Sequence, residues 1–531
     1  MAFMLGPPKR RALDQPVTIS LESLVPADHF YRHLDAQLDL RFVREWVQDC
    51  YAARGRPSID PVVFFKLQLI MFFEGLRSER QLIATASLHL AHRWYLGYGL
   101  DEPLPDHSSL TRIRQRLGLP IFERFFEQVV ELCQQAGLVW GQELFFDATK
   151  VRANADLDSL VPRFYWRAKQ HLDTLFAEDA PDTEPAALEM TDLEPAAQEP
   201  ASLRTADPPT LLPVPLVSAE REALAAENAA RWLLLEQRRL DPDRPPSGPY
   251  QRLTDLRVST TDPDAAPMKV GGQAALGYQD HYVVDGGKAR IIVHALVTPA
   301  DVMENTPMLD LLRRVRFRWK LRPKRAVGDT AYGTGENLAG LAADGIRAYV
   351  PLPEWGKASP FFSQRDFRYD AEQDIYTCPG GAVLRPRGNN YVTQVRIYQA
   401  PTATCQACSI RSRCTDSREG RKLNRPFDEE YRERVREYHD TPAYTTAMRK
   451  RAVWVEPLFG EGKQWHGLRQ FRLRGLENVN MEGLLVAAGQ NLKRWLAATG
   501  WGRRHGPQGS LLALPRPLPG FCLGRSLILA L

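Results

Sequence analysis

Two short stretches that lie far apart in the 531-residue chain share one pattern. In "LFFDAT" and in "AVGDTAYG", a short apolar run is followed by an aspartate, Asp147 in the first stretch and Asp329 in the second. Apolar runs of this length predict buried strands that end on the carboxylate. An ionised carboxylate beside an apolar strand is costly without a partner, so each aspartate is expected to bind a cation or a polar group. Taken alone, either residue could instead be an ordinary turn or cap residue.

A third acid could complete a site with the two aspartates. In "KRAVWVEPLFGEGKQWHGL", Lys463 follows Glu456 by seven residues, about two helical turns, so both would share one face of a helix. Pro457 is tolerated in the first turn of such a helix but would kink its interior. Three carboxylates could hold two Mg²⁺ ions ~3.5–4 Å apart, an arrangement that suits phosphodiester chemistry. Because the carboxylates repel one another, the metal-free site would be electrostatically strained.

Length and composition set broad limits. A chain of 531 residues is too long for one ordinary core and suggests roughly two to four domains. Charged residues make up 25% and hydrophobic residues 44%, which is typical of a soluble globular protein, and the net charge of +5 permits a nucleic-acid partner without requiring one. The N-terminus lacks the order of a signal peptide, and Lys66 interrupts the most apolar early run, 59–76. We therefore expect a cytoplasmic protein with no membrane partner.

Hydrophobic periodicity divides the chain into segments. Residues 20–140 predict helices throughout, strands and helices alternate across 280–352, and about 430–500 is helical again. Between these regions, 178–215 is rich in Pro, Ala and acids and predicts a linker or a disordered excursion, and Ser218 would cap a helix over 218–240. The pattern indicates a multi-domain α/β protein.

Four cysteines form a separate signal. Cys378, Cys405, Cys408 and Cys414 follow the spacing C-x26-C-x2-C-x5-C. One C-x2-C pair with two outlying cysteines could supply a tetrahedral four-thiolate Zn²⁺ site. The spacing is not the symmetrical arrangement of two C-x2-C pairs, so unbound thiols are the alternative.

Basic residues cluster in two places. In "PDHSSLTRIRQRLG", Ser108 or Ser109 could cap a short helix that could lie on a phosphate backbone; its exposed face would carry Arg112, Arg114 and Arg116. Near the third acid, Trp465 and His466 precede three further arginines, a mixture that suits a strand end or a flipped base: Arg469, Arg472 and Arg474. A solvated basic face is the alternative for both clusters.

Ordered blocks between about 20 and 500 resemble the DDE transposases of bacterial insertion sequences, in the branch whose third acid lies in a Y-R-E-K signature. "GRPSIDPVVFFKLQLI" and "PDHSSLTRIRQRLG" resemble the N-terminal DNA-binding region, "FFDATKVRANA" and "VGDTAYGTGEN" the two Asp blocks, and "RKRAVWVEPLFGEGKQWHGL" the Glu block. Two positions depart from the signature, because Ala452 stands where the family has Arg and Arg449 where it has Tyr. Arg451, one residue away, is the candidate for the arginine's role and for a DNA contact.

The resemblance implies an RNase H-like core in which Asp147, Asp329 and Glu456 bind Mg²⁺ and Lys463 contacts phosphate. It implies an enzyme that binds double-stranded DNA at the terminal inverted repeats of its element, cleaves it and joins it to target DNA. The enzyme would act as a homodimer in the synaptic complex, in the bacterial cytoplasm with the chromosome. A catalytically decayed, zinc-containing DNA-binding protein and an RNase H-like nuclease remain alternatives.

The expected domains follow from these segments. They are a helical N-terminal DNA-binding domain (1–140), the first part of the catalytic core (141–177 and 255–355), a linker and helical insertion (178–254), a Cys-rich insertion (356–430), the C-terminal helical part of the core (431–500) and an irregular tail (501–531).

Overall fold

The structure, a computed structural model, describes residues 18–51, 58–163, 165–170, 257–352, 360–391 and 393–502. The predicted linker and helical insertion, with the helix expected at 218–240, lie outside the described residues, as does nearly all of the predicted tail. Within the described ranges, no helix is both long enough and apolar enough to cross a membrane.

The N-terminal region is helical, as its periodicity predicts. Its helices are α1 (Leu21–Leu24), α2 (Phe30–Gln37), α3 (Phe42–Val47), α4 (Pro61–Phe73), α5 (Glu79–Leu88), α6 (Leu90–Leu96) and α7 (His107–Gln135). Asp60 caps α4 through the Val62 N–H, and Pro61 occupies the first turn, where its missing N–H costs nothing. Phe64, Phe65 and Ile70 of α4 are fully buried, so the most apolar early run is a core helix.

Helix α7 differs from the short helix that was expected. Its N-cap is Asp106, whose side chain accepts the Ser108 N–H, rather than Ser108 or Ser109. The chain kinks at Gly118 (φ 63°, ψ 171°), a backbone conformation that glycine adopts at little cost, and continues through Pro120 to Gln135. The basic segment is thus the first half of a long kinked helix.

A six-stranded mixed sheet follows the helices. The strands of this part of the chain are β1 (Glu143–Arg152), β2 (Leu160–Pro162), β3 (Arg257–Ser259), β4 (Ala266–Val270), β5 (Gln273–Asp285), β6 (Ile292–Pro299), β7 (Arg325–Val327) and β8 (Arg347–Tyr349), with helices α8 (Met308–Trp319) and α9 (Gly335–Ala343). The sheet order is β4-β5-β1-β7-β8, β6 also pairs with β5, and β2 pairs with β3 separately. Strands β1, β7 and β8 are parallel, whereas β5 is antiparallel to β1. The alternation predicted across 280–352 is present.

Strand β1 corrects one expectation, because it does not end at Asp147. It continues to Arg152. Strand β5 pairs with it from Leu144, which lies opposite Asp285, to Arg152, which lies opposite Gly277. Asp147 therefore lies in the middle of a ten-residue strand.

A second, antiparallel sheet is formed by the Cys-rich region. It has the order β13-β12-β11-β10-β9, from β9 (Arg368–Asp370), β10 (Ile375–Thr377), β11 (Val383–Asn390), β12 (Val395–Gln399) and β13 (Lys422–Pro426). Helix α10 (Thr402–Gln406) lies between β12 and β13, and α11 (Glu429–Glu437), α12 (Pro442–Trp454), α13 (Glu456–Trp465) and α14 (Leu476–Ala498) follow. This sheet has a small apolar core of its own.

Helix α14 joins the first sheet to the N-terminal helices. The Asn480 side chain accepts the Val297 N–H and donates to the Val297 carbonyl, on the edge of β6 that faces away from β5. Asn491 makes the same pair of hydrogen bonds with Ile292. At Gly489, an added Cβ would lie 2.6 Å from the Phe72 ring, so the absent side chain lets α14 approach α4. Sheet, α14 and N-terminal helices consequently share one hydrophobic core.

Candidate active site

Strand register brings the two aspartates together. In the parallel pair of β1 and β7, Phe145 lies opposite Val327, and Asp147 and Asp329 each stand two residues further on. Because side chains alternate between faces with a period of two, the two carboxylates lie on the same side of the sheet. Asp329 also caps a single 3-10 turn and accepts the Ala331 N–H at 2.9 Å, which fixes its direction.

The third acid arrives on a helix start. Glu456 is the first residue of α13, and Pro457 falls in its first turn, so the proline produces no kink. Helix α12 ends at Trp454, two residues earlier. Lys463 lies in the last turn of α13, so the helix shared by Glu456 and Lys463 is present.

One guanidinium contacts all three acids. Arg451 places Nη2 3.3 Å from Asp147 Oδ1 and 3.8 Å from Asp329 Oδ2, and Nη1 3.6 Å from Glu456 Oε1. Acids separated by hundreds of residues in the chain thus surround a single cationic side chain. Sequence reasoning placed Arg451 on DNA, whereas the structure places it among the carboxylates.

Burial distinguishes the three acids. The side chains of Asp147, Asp329 and Glu456 are 9%, 31% and 55% exposed, so Asp147 is the one held away from water. Burial raises the pKa of Asp147 to about 6; the Arg451 charge opposes this rise and the Asp329 charge adds to it. Asp147 therefore has the greatest need of a neighbouring cation.

The donor set suits a hard divalent cation, because carboxylate oxygens are the ligands that Mg²⁺ prefers. The acids already gather around positive charge, which is the role such an ion would take. Among the residues that the structure describes, however, no group of three or more His, Cys, Asp and Glu side chains stands at metal-holding distances. The Arg451 guanidinium instead lies 3.3–3.8 Å from each of the three carboxylates.

Two separate stretches match families of known proteins. Residues 19–116 match a family described as a transposase domain, DUF772, and residues 377–496 match one described as a transposase DDE domain. The chain is a transposase. It is accordingly an enzyme that acts on DNA, and the second match supports the DDE type. No curated protein and no solved structure matches the chain.

The matches cover part of the site. Glu456 and Lys463 lie within the second matched stretch of the transposase, whereas Asp147 and Asp329 lie outside both stretches. A DDE domain implies an RNase H-like core, and the mixed sheet with its helices confirms the predicted α/β class. DDE transposases generally use a divalent metal such as Mg²⁺.

Lys463 lies near Asp147 and near a buried acid, Asp280, that the sequence did not reveal. Burial lowers the pKa of Lys463, and the charges of Asp280 and Asp147 oppose that change. Asp280 is fully buried on β5 opposite Thr149, and the Tyr282 hydroxyl and the Lys463 charge lie near it. Its local sequence, "GYQDHYVVD", mixes polar and apolar residues and gave no signal that sets Asp280 apart.

A fourth acid lies beside the cluster. Glu304, between β6 and α8, has its pKa raised by burial and further by the charges of Asp329 and Asp147. Its segment, "VTPADVMEN", gave no chemical signal in the sequence, because strand pairing rather than local pattern carries it to the aspartates.

The arginines of α7 divide between surface and interior. Arg112 and Arg116 are exposed, and Arg116 lies over the Tyr51 ring. Arg114 corrects the prediction of a common exposed face, since it is buried and ion-paired with Glu79 of α5. Residues two positions apart on a helix point in nearly opposite directions. Arg114 therefore points away from the face that Arg112 and Arg116 share.

The second arginine cluster divides in the same way. Arg469 and Arg474 are exposed, and each donates its Nε–H to a backbone carbonyl, of Lys463 and Asn154 respectively. Arg472 is half-buried and binds Glu79 at 3.1 Å, so it ties this segment to the N-terminal helices.

The four cysteines are brought to one place. Cys378 follows β10, Cys405 lies in α10, Cys408 follows it, and Cys414 ends a short 3-10 turn. All four line a cavity of about 500 Å³ at the second sheet.

Proposed function

We propose that this transposase cleaves DNA at the ends of its element and joins the 3′ ends to target DNA, with Asp147, Asp329 and Glu456 as ligands of two Mg²⁺ ions. The observation that carries the proposal is the convergence of these acids, from three distant parts of the chain, on the Arg451 guanidinium. When bound, the two ions would supply activation of water or a 3′-hydroxyl and stabilisation of the leaving oxygen.

The protein's own contribution is rigid placement of charge. Asp147 is held within a strand and Asp329 by its cap, whereas the exposed Glu456 stands at a helix start and is free to adjust its rotamer. Lys463 would bind a phosphate oxygen as a point charge. When metal and DNA bind, the Arg451 guanidinium would leave the three carboxylates to the metal ions and bind a phosphate group instead. Such preorganisation matters because the developing charge is then met without reorientation of the site.

The DNA contacts we propose lie on two exposed surfaces. Arg112 and Arg116 on α7 would contact the terminal inverted repeats, as part of a DNA-binding region within 1–140. Arg469 and Arg474, close to Lys463 in the chain, would contact the strand to be cut. Because two ends must be held together before joining, we propose a homodimer in the synaptic complex, acting in the bacterial cytoplasm.

The test is a cleavage and strand-transfer assay on DNA that carries the element's ends, in Mg²⁺ or Mn²⁺. We expect Asp147→Asn, Asp329→Asn and Glu456→Gln each to lose activity by at least about 100-fold while DNA binding persists. Asp158→Asn is the matched control, since Asp158 is an exposed acid of the same region. Full activity in Asp147→Asn would contradict the ligand assignment.

Two further outcomes would indicate the alternatives. Specific binding of the ends without any cleavage by the wild-type protein would indicate a decayed DNA-binding protein. Cleavage without joining would indicate a nuclease. A Zn²⁺ ion at the four cysteines would take no part in this chemistry, because those thiols belong to the second sheet.

A further inference from the structure

The second sheet has a core too small for its size. In the part of 360–426 that the structure describes, the buried apolar side chains are Ile375 and the cluster of Phe367, Tyr376, Leu384, Tyr398, Ala400 and Leu423. Modules below ~70–80 residues rarely gain enough from burial alone, and natural ones usually add a metal or disulfides. The cysteines at hand are all free thiols, so no disulfide supplies this stability.

The thiols stand where such a link is needed. Cys378, Cys405 and Cys414 pack against the small core, and Cys408 lines the same cavity. A Cβ built on Gly380 would lie 3.2 Å from the Cys408 Sγ and 3.7 Å from the Cys378 Sγ, so both sulfurs approach the same glycine. Two segments distant in sequence are thereby brought together at the cavity.

The turn after β10 holds the Cys378 side chain in place. The Cys378 Sγ accepts the Ala382 N–H at 3.3 Å, while Gly381 at φ +82° lets the chain turn back. The Cys378 N–H and the Ala382 carbonyl close the turn at 2.9 Å. This backbone N–H fixes the direction of the Cys378 sulfur, which lines the cavity with the other three.

We propose that Cys378, Cys405, Cys408 and Cys414 bind one structural Zn²⁺ ion that holds the second sheet together. Four soft thiolates in a closed site favour tetrahedral Zn²⁺, with an iron–sulfur cluster as the competing occupant. In the described residues the thiols do not stand at metal-holding distances. Four thiolates repel one another without an ion between them, so binding would draw them together across the cavity.

The ion would link three separate segments: the β10–β11 turn, α10 with the residue pair that follows it, and the chain leading into β13. Strand β13 is in turn tied to α11, since Arg425 binds both carboxylate oxygens of Glu433 at 2.6 and 2.8 Å. Helix α11 leads to α12, which carries Arg451. Zinc would therefore stabilise the stretch of chain between Asp329 and Glu456 without contacting the DNA chemistry.

Metal analysis of the purified full chain, without DNA, tests the proposal independently of the proposed function. We expect about one zinc per chain by elemental mass spectrometry, and less than about one fifth of that in Cys405→Ser/Cys408→Ser. Cys50→Ser is the control, because Cys50 is half-buried near the N-terminal helices and should leave the zinc content unchanged. Replacement of zinc by Co²⁺ should give the visible absorption of a tetrahedral cobalt–thiolate site.

A second measurement covers the case in which the double variant fails to fold. In wild-type protein treated with a chelator, hydrogen exchange should accelerate across 375–426, while β1 and β5 keep their protection. Absence of both zinc and the cobalt bands from wild-type protein would overturn the proposal, as would equal zinc in the double variant. Iron with a visible chromophore in place of zinc would overturn the assignment of the metal.

Discussion

Arg451 balances the charge of the carboxylate cluster. It lies in the last turn of α12, and Val455 (φ −104°, ψ −50°) separates that helix from α13. The signature position four residues before Glu456 assumes one continuous helix. The break at Val455 changes this spacing, so Arg451, one position earlier, reaches the acids instead. With the guanidinium inserted, the metal-free site can keep Asp147 buried beside two other carboxylates.

Asp147 carries a pH-dependent cost of its own. Its folded pKa of about 6 lies above the value of a solvated aspartate, so the stability it contributes is present below about pH 4 and is lost as pH rises through 6. Asp147→Asn removes the titration. In EDTA the variant should therefore exceed wild type in unfolding free energy by up to about 3 kcal/mol at pH 8, with the difference shrinking towards pH 4. Urea denaturation at several pH values measures this.

The same substitution should abolish strand cleavage, so stability and activity would change in opposite directions. Asp158→Asn, at an exposed position, should show neither effect. A pH-independent difference between Asp147→Asn and wild type would contradict the burial argument.

The predictability of the site differs from residue to residue. Asp147 and Asp329 could be singled out because each follows an apolar run, and Glu456 because it stands seven residues before Lys463 on a predicted helix. Asp280 and Glu304 could not, since only strand pairing and loop position carry them towards the cluster. The prediction of a common exposed face is wrong for Arg114, because its position on the helix turns it towards Glu79 and the interior.

At the scale of elements, α7 has an exposed side, which we propose contacts DNA, and a packing side. Arg112→Ala should weaken DNA binding at all sequences alike and lower the salt dependence by about one phosphate contact, with stability unchanged within about 0.5 kcal/mol. Arg114→Ala should instead cost about 3 kcal/mol, because it leaves the buried Glu79 with only Arg472 as a cationic partner. Fluorescence anisotropy in a salt series and urea denaturation separate the two effects. Equal effects of the two variants on DNA binding would contradict this division.

The outer edge of β6 depends on α14. Asn480 and Asn491 supply both a donor and an acceptor to Val297 and Ile292, so the side chains replace a missing neighbouring strand. Asn480→Leu or Asn491→Leu would leave a buried N–H and a buried C=O unpaired and should cost about 2–4 kcal/mol each. Chemical denaturation measures the loss.

Asn478→Leu provides the control for this edge, because the Asn478 amide donates to the Arg474 carbonyl, just before α14 begins, and not to a β6 backbone group. Its stability should stay within about 0.5 kcal/mol of wild type. A similar loss in all three variants would mean that α14 helicity, rather than the β6 edge, had been disturbed.

For the whole molecule, the sequence indicated the elements better than their assembly. Amphipathic periodicity identified the N-terminal helices and the alternation of strands and helices, since both leave a local trace. It gave no sign that α4 and α7 pack with α14 into one core with the first sheet. Contacts between segments separated by more than 300 residues leave no periodic trace, so the shared core could not be inferred.

Two separate cores should unfold as two cooperative blocks. Leu384 is fully buried in the second sheet, and Leu492 is fully buried in the larger core. Each substitution by Ala should cost about 2–5 kcal/mol, but only in its own block. Leu384→Ala should accelerate hydrogen exchange in β10–β12 alone, whereas Leu492→Ala should do so in β1, β5 and α14. Tryptophan fluorescence should detect only the second variant, because residues 360–426 contain no tryptophan. Spread of the Leu384→Ala effect into β1 would show that the two sheets unfold together.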